Sequence, residues 1–552
     1  MNHFRPEELL FLPLGGVGEI GMNLALYGYQ GKWLMVDLGV SFGDESTPGV
    51  DVFMADPAYI AERHEDLVGI VLTHGHEDHL GAVGHLWPRL RCPVYATPFT
   101  ASLLKSKLKE ANLDGIVPVR VMPLQGKATI GPFEIEMVTQ THSIPEPNSL
   151  AIRTPLGTVL HTGDWKFDPR PLVGPVADTA RLGRLGDDGV LAVVGDSTNV
   201  FNKGTTGSES AVRDSVTALL GRFQKRIAVA CFATNVARLE TMAVAAAAHG
   251  RHVALVGRSL WRIDKAARDN GYLKDLPPFL SEGDGAHLPE DKVLYVCTGS
   301  QGEPRAALTR IATGTHPHVT LNAGDAVIFS SRIIPGNEKP IYKLQNALAR
   351  RGVEIVTEKD HFVHVSGHPG REEMSRLYGL VRPKIAVPVH GEVRHLQEHA
   401  QLARDLQIPE AVVITNGDML RLAPGPAEIV DHVPTGRLAV DGTRLVSMGS
   451  EIMRERHRMV HNGGAVITVV LDRMGKLLGE PQVSAFGILD AEHEAEEHEA
   501  VLEAIRESIQ SLATLARQND DVVREAVRTG VRAHLKRTHG KKPLTDVHLV
   551  RV

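Results

Sequence analysis

The 552-residue chain has only three cysteines, Cys92, Cys231 and Cys297. They are too few and too scattered for a disulfide framework or a thiolate zinc site, which favours a reducing, cytoplasmic setting. No stretch reaches the roughly 18 consecutive apolar residues that would span a bilayer, so no membrane association is expected. The opening MNHFRPEELLFLPLGG lacks a long apolar core behind a basic region, and no signal peptide is expected from it. Positive charge is not in excess either. The 60 Lys and Arg face 66 Asp and Glu, a net charge of −6, which excludes a protein coated in cations for non-specific nucleic-acid binding while leaving room for a local basic groove. Internal repeats and low-complexity linkers are absent. The length exceeds what one hydrophobic core can serve, so about three or four domains are expected.

What the chain does have is histidine, 27 in all, with several clustered at spacings suited to metal ligation. From about residue 10 to 200, short β-type runs (WLMVDLGV, LVGIVLTH, CPVYAT, FEIEMVTQTH, TVLHTGD, VLAVVGDSTN) alternate with Gly/Pro turns and brief helical stretches. Most end in His, Asp, Ser, Thr or Asn, a pattern that places a site along one rim of a sheet. Between 206 and 350 the texture changes. SESAVRDSVTALLGRF carries Val212, Val216, Leu219, Leu220 and Phe223 on a helical face with Ser208 as its N-cap. RIAVACFA, HVALVGR, KVLYVCTGS and DAVIFSS then read as buried parallel strands between helices. KIAVPVHGE and AVVITNGD resume the earlier style, as an inserted domain would require. Strands are expected again near 436–487. After them, DAEHEAEEHEAVLEAIRESIQSLATLARQ predicts a long helix with an acidic start and an apolar face of Val501, Leu502, Ile505, Ile509 and Leu512. Its Glu/His run reads as a solvated helical face rather than a metal site. The basic LKRTHGKKPL near the end is equally compatible with a solvated terminus.

The densest chemistry is THGHEDH at 73–79. His74 and His76 alternate on an extended segment and can face the same side, while Asp78 and His79 follow at the turn and can serve a second, adjacent position. Zinc accepts imidazole and carboxylate ligands, and a catalytic ion keeps one place open. A lone histidine here would more often be structural, but the whole H-x-H-x-D-H pattern after an apolar strand predicts a dinuclear metal site.

This pattern resembles the signature of the metallo-β-lactamase superfamily, which implies an αββα sandwich and further ligands at later strand ends. His142 (QTHSIPEP), Asp164 (LHTGDWKFD) and Asp37 (MVDLGV) occupy those places. By the resemblance Asp164 bridges two ions and Asp37 orients the loop of the first histidines. Asp196 (VVGDSTN), His368 (HVSGHPG) and His390 (PVHGEVRHL) look like the three extra motifs of the β-CASP nucleases, in which the last histidine is typical of members acting on RNA. LGGVGEIGMN, FATNVARLE, VALVGRSL, TGSQGEP and SSRIIPGNE join them as matches to the ribonuclease J family over about 400 residues.

The implied fold is α/β, a metallo-β-lactamase core in two parts (1–205 and 351–430) around a β-CASP insertion (206–350). Linker and core-edge strands (431–460) and a small C-terminal α/β domain (461–552) follow. The implied metal ligands are His74, His76, Asp78, His79, His142, Asp164 and His390, holding two divalent ions per subunit, zinc by preference with manganese or magnesium as alternatives in activity. Asp78, Asp196 and His368 are the implied catalytic residues, Asp196 and His368 moving protons at the leaving oxygen. His364, Val365, Ser366, Gly367 and His368 would lie against the substrate backbone, and His361 reads as part of a structural turn.

The implied activity is hydrolysis of single-stranded RNA, mainly 5′-to-3′ with 5′-monophosphate preference and some internal cleavage, in RNA processing and decay. A homodimer through the C-terminal region and partners among other RNA-degradation proteins are implied as well. Two departures lie beside the expected 5′-end pocket. Pro369, Gly370 and Arg371 follow His368, and Val393 stands after HGE where an aromatic residue is common. The rival readings are a small-molecule ester, thioester or lactam hydrolase, which would need no insertion, a non-catalytic RNA-binding member, which would have lost ligands, and a DNA nuclease, against which His390 counts.

Overall fold

The computed structural model describes residues 5–44, 46–334, 336–490 and 494–552. The chain divides into two compact units, residues 1–41 with 54–435, and residues 42–53 with 436–552.

The first unit is built on two facing sheets. One orders its strands Glu428–His432, Asp418–Ala423, Leu9–Gly15, Leu24–Tyr29, Lys32–Val36, Leu67–Val71, Val94–Ala96 and Val119–Val121. The other runs Lys127–Ile130, Phe133–Thr139, Asn148–Thr154, Gly157–His161, Ala192–Asp196, Ile385–Val389 and Glu410–Ala411. Strand alternation turns Phe11, Tyr27, Leu34 and Val71 of the first sheet toward Phe133, Ile135, Met137, Leu150 and Val194 of the second, where burial of apolar area drives the sheets together. The opposite face of the second sheet, including Val138, Leu160 and Ala386, is covered by the helices Thr179–Asp188, Arg371–Val381 and Val393–Asp405 through Leu182, Leu185, Met374, Leu377 and Leu402.

Glu136 lies on this covered face and fastens a helix to the sheet. Arg181 of Thr179–Asp188 donates to both of its oxygens at 2.6 and 2.9 Å, and Arg153 of the neighbouring strand approaches to 2.6 Å. The bonds from Arg181 outweigh the upward pull of partial burial, and with Arg153 they draw the carboxyl pKa down to about 2. A carboxyl held below its unfolded value near 4.3 adds stability above that value and loses it as pH falls toward the folded one. The difference in melting temperature between the wild type and Glu136→Gln is therefore expected to be largest near neutrality and to shrink steadily between about pH 4.5 and pH 2. A difference that stays constant across that window in thermal unfolding scans would show the pair to be inert.

The insertion forms a six-stranded, all-parallel sheet in the order Leu280–Ser281, His252–Val256, Val293–Cys297, Ile227–Ala230, Ala326–Phe329, Glu354–Val356. Its central strands are buried along their whole length, as parallel strands covered by helices on both faces require. The helix Glu209–Leu220 starts at Ser208, whose hydroxyl accepts the Ser210 N–H at 3.3 Å. The last edge strand, Glu354–Val356, lies just beyond the boundary expected at 350; three residues are too few to show a periodicity.

In the second unit a three-stranded sheet orders Gln482–Phe486, Gly464–Leu471 and Leu544–Arg551, the last pair parallel. One face is covered by the helices Ala495–Gln510 and Asp520–His539, with Val501, Leu502, Ile505, Ile509, Val523, Val527 and Val531 against Ile467, Val469 and Val547. Of the acidic start expected for the first helix, Ala491, Glu492 and His493 lie outside the described residues. The basic Lys536, Arg537 and His539 form the last turn of the second helix, where cations offset the helix dipole. Residues 431–460, expected as linker and edge strands, contain a hairpin, Arg437–Asp441 with Arg444–Ser447, and most of the helix Glu451–Asn462. Ala439, Val446 and Met453 form a small core with Val50. Residues 42–53 thus belong to the C-terminal unit rather than to the core assigned from sequence. No helix among the described residues is long and apolar enough to cross a membrane.

Candidate metal centre

The strand ends do converge. Leu67–Val71 runs into Thr73 and His74, and the one-turn helix Glu77–Leu80 carries Asp78 and His79. His142 follows Phe133–Thr139, Asp164 follows Gly157–His161, Asp196 closes Ala192–Asp196 and His390 follows Ile385–Val389. The backbone is bent to achieve this. Asp37 and His390 have left-handed φ values of 62° and 51°, conformations that non-glycine residues adopt chiefly where the surroundings enforce them. Gly39 allows the Asp78 segment to pass, since a Cβ there would lie 1.7 Å from the Asp78 carbonyl oxygen.

Asp37 organises the first loop. Its Oδ1 accepts the Thr73 N–H at 2.8 Å, and its Oδ2 accepts the Thr73 hydroxyl at 2.8 Å and His79 Nδ1–H at 2.7 Å. With its proton given to Asp37, Thr73 Oγ1 accepts from His74 Nδ1 at 3.0 Å. His142 Nδ1 donates to the Gly367 carbonyl at 2.6 Å, and His390 Nδ1 to Asn23 Oδ1 at 3.0 Å. In all four imidazoles Nδ1 is engaged by an outer partner and Nε2 turns toward the centre, the arrangement typical of metal-binding histidines.

The inward nitrogens face one another. His76 Nδ1 lies 3.0 Å from both His74 Nε2 and His142 Nε2, close to the ~3.3 Å separating ligand atoms of a tetrahedral zinc site. Asp164 Oδ2 lies 3.8 and 3.7 Å from His74 and His142 Nε2, and 3.2 and 3.5 Å from His79 and His390 Nε2. Asp78 Oδ2 is 3.5 Å from His79 Nε2. Two donor groups result, His74–His76–His142–Asp164 and Asp78–His79–Asp164–His390, sharing Asp164. A third, Asp164–Asp196–His368–His390, is as compact, but His368 Nδ1 is already bonded to Asp196 Oδ2 at 2.8 Å.

Electrostatics suits divalent cations. Burial pushes His76 down to about 4 and His74 and His142 well below the usual imidazole range, so these rings are neutral. Burial alone would raise Asp164, but His390, His79 and His368 hold it well below the usual carboxylate range. Asp164 Oδ1 and His390 Nε2 are buried with no hydrogen-bond partner, a cost of about 1–3 kcal/mol each that an ion would relieve. The donor set fits two divalent ions.

His368 stands over this cluster, its ring 5.0 Å from His142 and stacked at 5.6 Å on His390. Burial lowers its pKa, yet the Asp196 and Asp164 carboxylates prevail and raise it to about 9. Of the other residues expected against substrate, His364 is half-buried, with Nδ1 unpartnered and held neutral by burial and by Arg238. The Val365 side chain is buried, which leaves only its main chain for a ligand. Ser366 Oγ accepts the His368 N–H at 3.2 Å, and a Cβ on Gly367 would come within 2.6 Å of the His142 ring. His361 instead accepts from Arg222 at 2.7 Å. Reading the sequence missed Thr73, Asn23 and the Gly367 carbonyl, the partners that aim the imidazoles. Asn23 closes the LGGVGEIGMN stretch, but nothing there marks it as a histidine's partner.

A two-sheet sandwich with a His/Asp rim and a parallel α/β insertion defines a β-CASP metallohydrolase of the metallo-β-lactamase fold. Comparisons with known families agree. Residues 34–181 match a beta-lactamase superfamily domain, 224–348 a ribonuclease J beta-CASP domain, 352–413 a Zn-dependent metallo-hydrolase RNA specificity domain and 451–552 a ribonuclease J C-terminal domain. The chain belongs to the ribonuclease J family and is a metal-dependent ribonuclease acting on RNA. It is 44% identical to ribonuclease J of Sinorhizobium meliloti over 99% of this chain and 98% of that protein. Ribonuclease J of Mycobacterium tuberculosis is 37% identical over 96% and 95%, and that of Thermus thermophilus 34% over 98% and 94%. In fold alone, a solved Enterococcus faecalis protein of unknown function matches 75% of this chain and 100% of its own with a TM-score of 0.53 at 15% identity.

Proposed function

We propose that this ribonuclease degrades single-stranded RNA from the 5′ end, prefers a 5′-monophosphate, cuts internally as a secondary activity and releases nucleoside 5′-monophosphates. The observation that carries this reading is the convergence of six donor residues around Asp164 with the His368–Asp196 pair beside them. His74, His76 and His142 would hold one ion and Asp78, His79 and His390 another, with Asp164 shared; zinc suits this set best. Such ions supply Lewis-acid charge at the phosphate and a nucleophile from water at neutral pH.

The chain does the rest. Asp37, Thr73, Asn23 and Gly367 fix the imidazoles. His368, with Nδ1–H bonded to Asp196, passes the proton on Nε2 to the departing 3′ oxygen as the P–O3′ bond breaks, and the Asp196 carboxylate favours the protonated ring. The main chain of 364–368, with the Ser366 hydroxyl, positions the RNA backbone. We assign the catalytic core to 1–41, 54–205 and 357–430, the insertion to 206–356 and the C-terminal domain to 461–552, through which two copies pair. The setting is the cytoplasm, alone or with other RNA-degradation proteins.

The test is one RNA prepared with 5′-monophosphate, 5′-triphosphate and 5′-hydroxyl ends, incubated with the protein and Mn²⁺, Mg²⁺ or Zn²⁺. Mononucleotides accumulating fastest from the monophosphate form are expected. Equal rates from all three ends, or internal fragments alone, would overturn the end preference.

A further inference from the structure

Beside the metal centre, on the side of His390, lies a group that no step above uses. Phe201 follows the Asp196 loop and is 44% exposed, although its neighbour Val200 is fully buried. The Arg394 guanidinium sits over its ring at 4.6 Å from the centroid, and the His395 ring meets it at 5.3 Å and 63°. Arg394 is exposed and makes no ion pair among the described residues. The next apolar side chain, Val393, is 53% exposed.

The loop that carries Phe201 is fixed rather than slack. The Thr198 hydroxyl donates to the His390 carbonyl at 3.1 Å, Asn199 Nδ2 to the His368 carbonyl at 3.1 Å, and Arg371 N–H to the Asn202 carbonyl at 2.7 Å. His395 packs against Gly391, the residue after His390, where a Cβ would lie 2.9 Å from His395 Cβ. The ring therefore sits against the segment that follows His390, and bonds to the His390 and His368 carbonyls set the place of its loop. A rigid, partly exposed aromatic ring next to a cation without an acidic partner is how proteins hold single-stranded nucleic acid: the π-face takes a base and the guanidinium a phosphate.

We propose that Phe201 and Arg394 form a nucleotide-binding step on the rim of the metal centre. A base of single-stranded RNA stacks on the exposed part of the Phe201 ring, and a neighbouring phosphate pairs with Arg394. This rests on the reading that RNA reaches the centre across this rim.

The test uses the full-length, metal-loaded protein and a set of RNA oligonucleotides in which a single abasic residue is moved stepwise from the 5′ end. One abasic position is expected to raise the wild-type KM by roughly 5- to 100-fold. Phe201→Ala raises KM for intact RNA by a similar factor, with the loss in KM rather than kcat, and then shows no further loss at that abasic position. Phe201→Trp restores the wild-type value, whereas Phe201→Leu, which keeps apolar bulk without a π-face, behaves as Phe201→Ala. Arg394→Gln flattens the dependence of log KM on log salt by about 0.7, the slope for one phosphate of a single strand. A positional dependence that survives intact in Phe201→Ala and Phe201→Leu overturns the stacking step alone. A wild type indifferent to every abasic position overturns the passage of bases over this rim.

Discussion

Asp164→Ala is expected to lower RNA hydrolysis by roughly four orders of magnitude, equivalent to about 5.4 kcal/mol. The reason is its position. One oxygen, Oδ2, lies between 3.2 and 3.8 Å from the inward nitrogens of His74, His79, His142 and His390, so one carboxylate serves both donor groups. Without it each group keeps three donors, but the negative charge that would offset two adjacent dications is lost from the middle. Metal analysis of the dialysed variant is expected to show less than the wild-type content, with the fold retained by circular dichroism. Asp164→Asn keeps the shape and removes the charge, and is expected to fall nearly as far. Wild-type metal content together with more than a tenth of wild-type kcat/KM in either variant would remove Asp164 from the centre.

His368→Gln is expected to act differently. Its loss belongs in kcat, by roughly 10² to 10⁴, the range for a positioned general acid, with metal content and RNA affinity near wild type. Asp196→Asn should lower kcat through the same path, because its carboxylate orients and charges the imidazole from 2.8 Å. The double variant should be little worse than His368→Gln, since two groups that act as a unit are not additive. Single-turnover measurements on a 5′-labelled RNA separate this from a metal defect, and fully additive losses would mean that the two residues act independently.

The candidate metal site was legible because its residues are rare and placed where strands end. His74 and His76 lie on a bend just past Leu67–Val71 rather than on an extended segment, and Asp164 and His390 each follow an apolar run that the structure shows as a strand. The residues that aim them were not legible. Thr73, Asn23 and the Gly367 carbonyl are ordinary groups, and their role exists only through contacts spanning up to 367 positions in sequence. The same applies to the fold. Long buried strands such as Ile227–Ala230 stand out, while Glu354–Val356 is too short and residues 42–53 give no sign that they pack with residues from 436 onward. Val365 marks a limit of reading by motif: it lies in the stretch expected to meet substrate, yet its side chain is turned into the core.

The order of residues along the chain gives the centre a timing. Six of the seven donors have been synthesised by residue 164, but His390 arrives only after the whole insertion, on a strand that must pair beside Ala192–Asp196. His368, paired with Asp196, comes almost as late. The donor set is complete only when the first, larger unit is nearly finished.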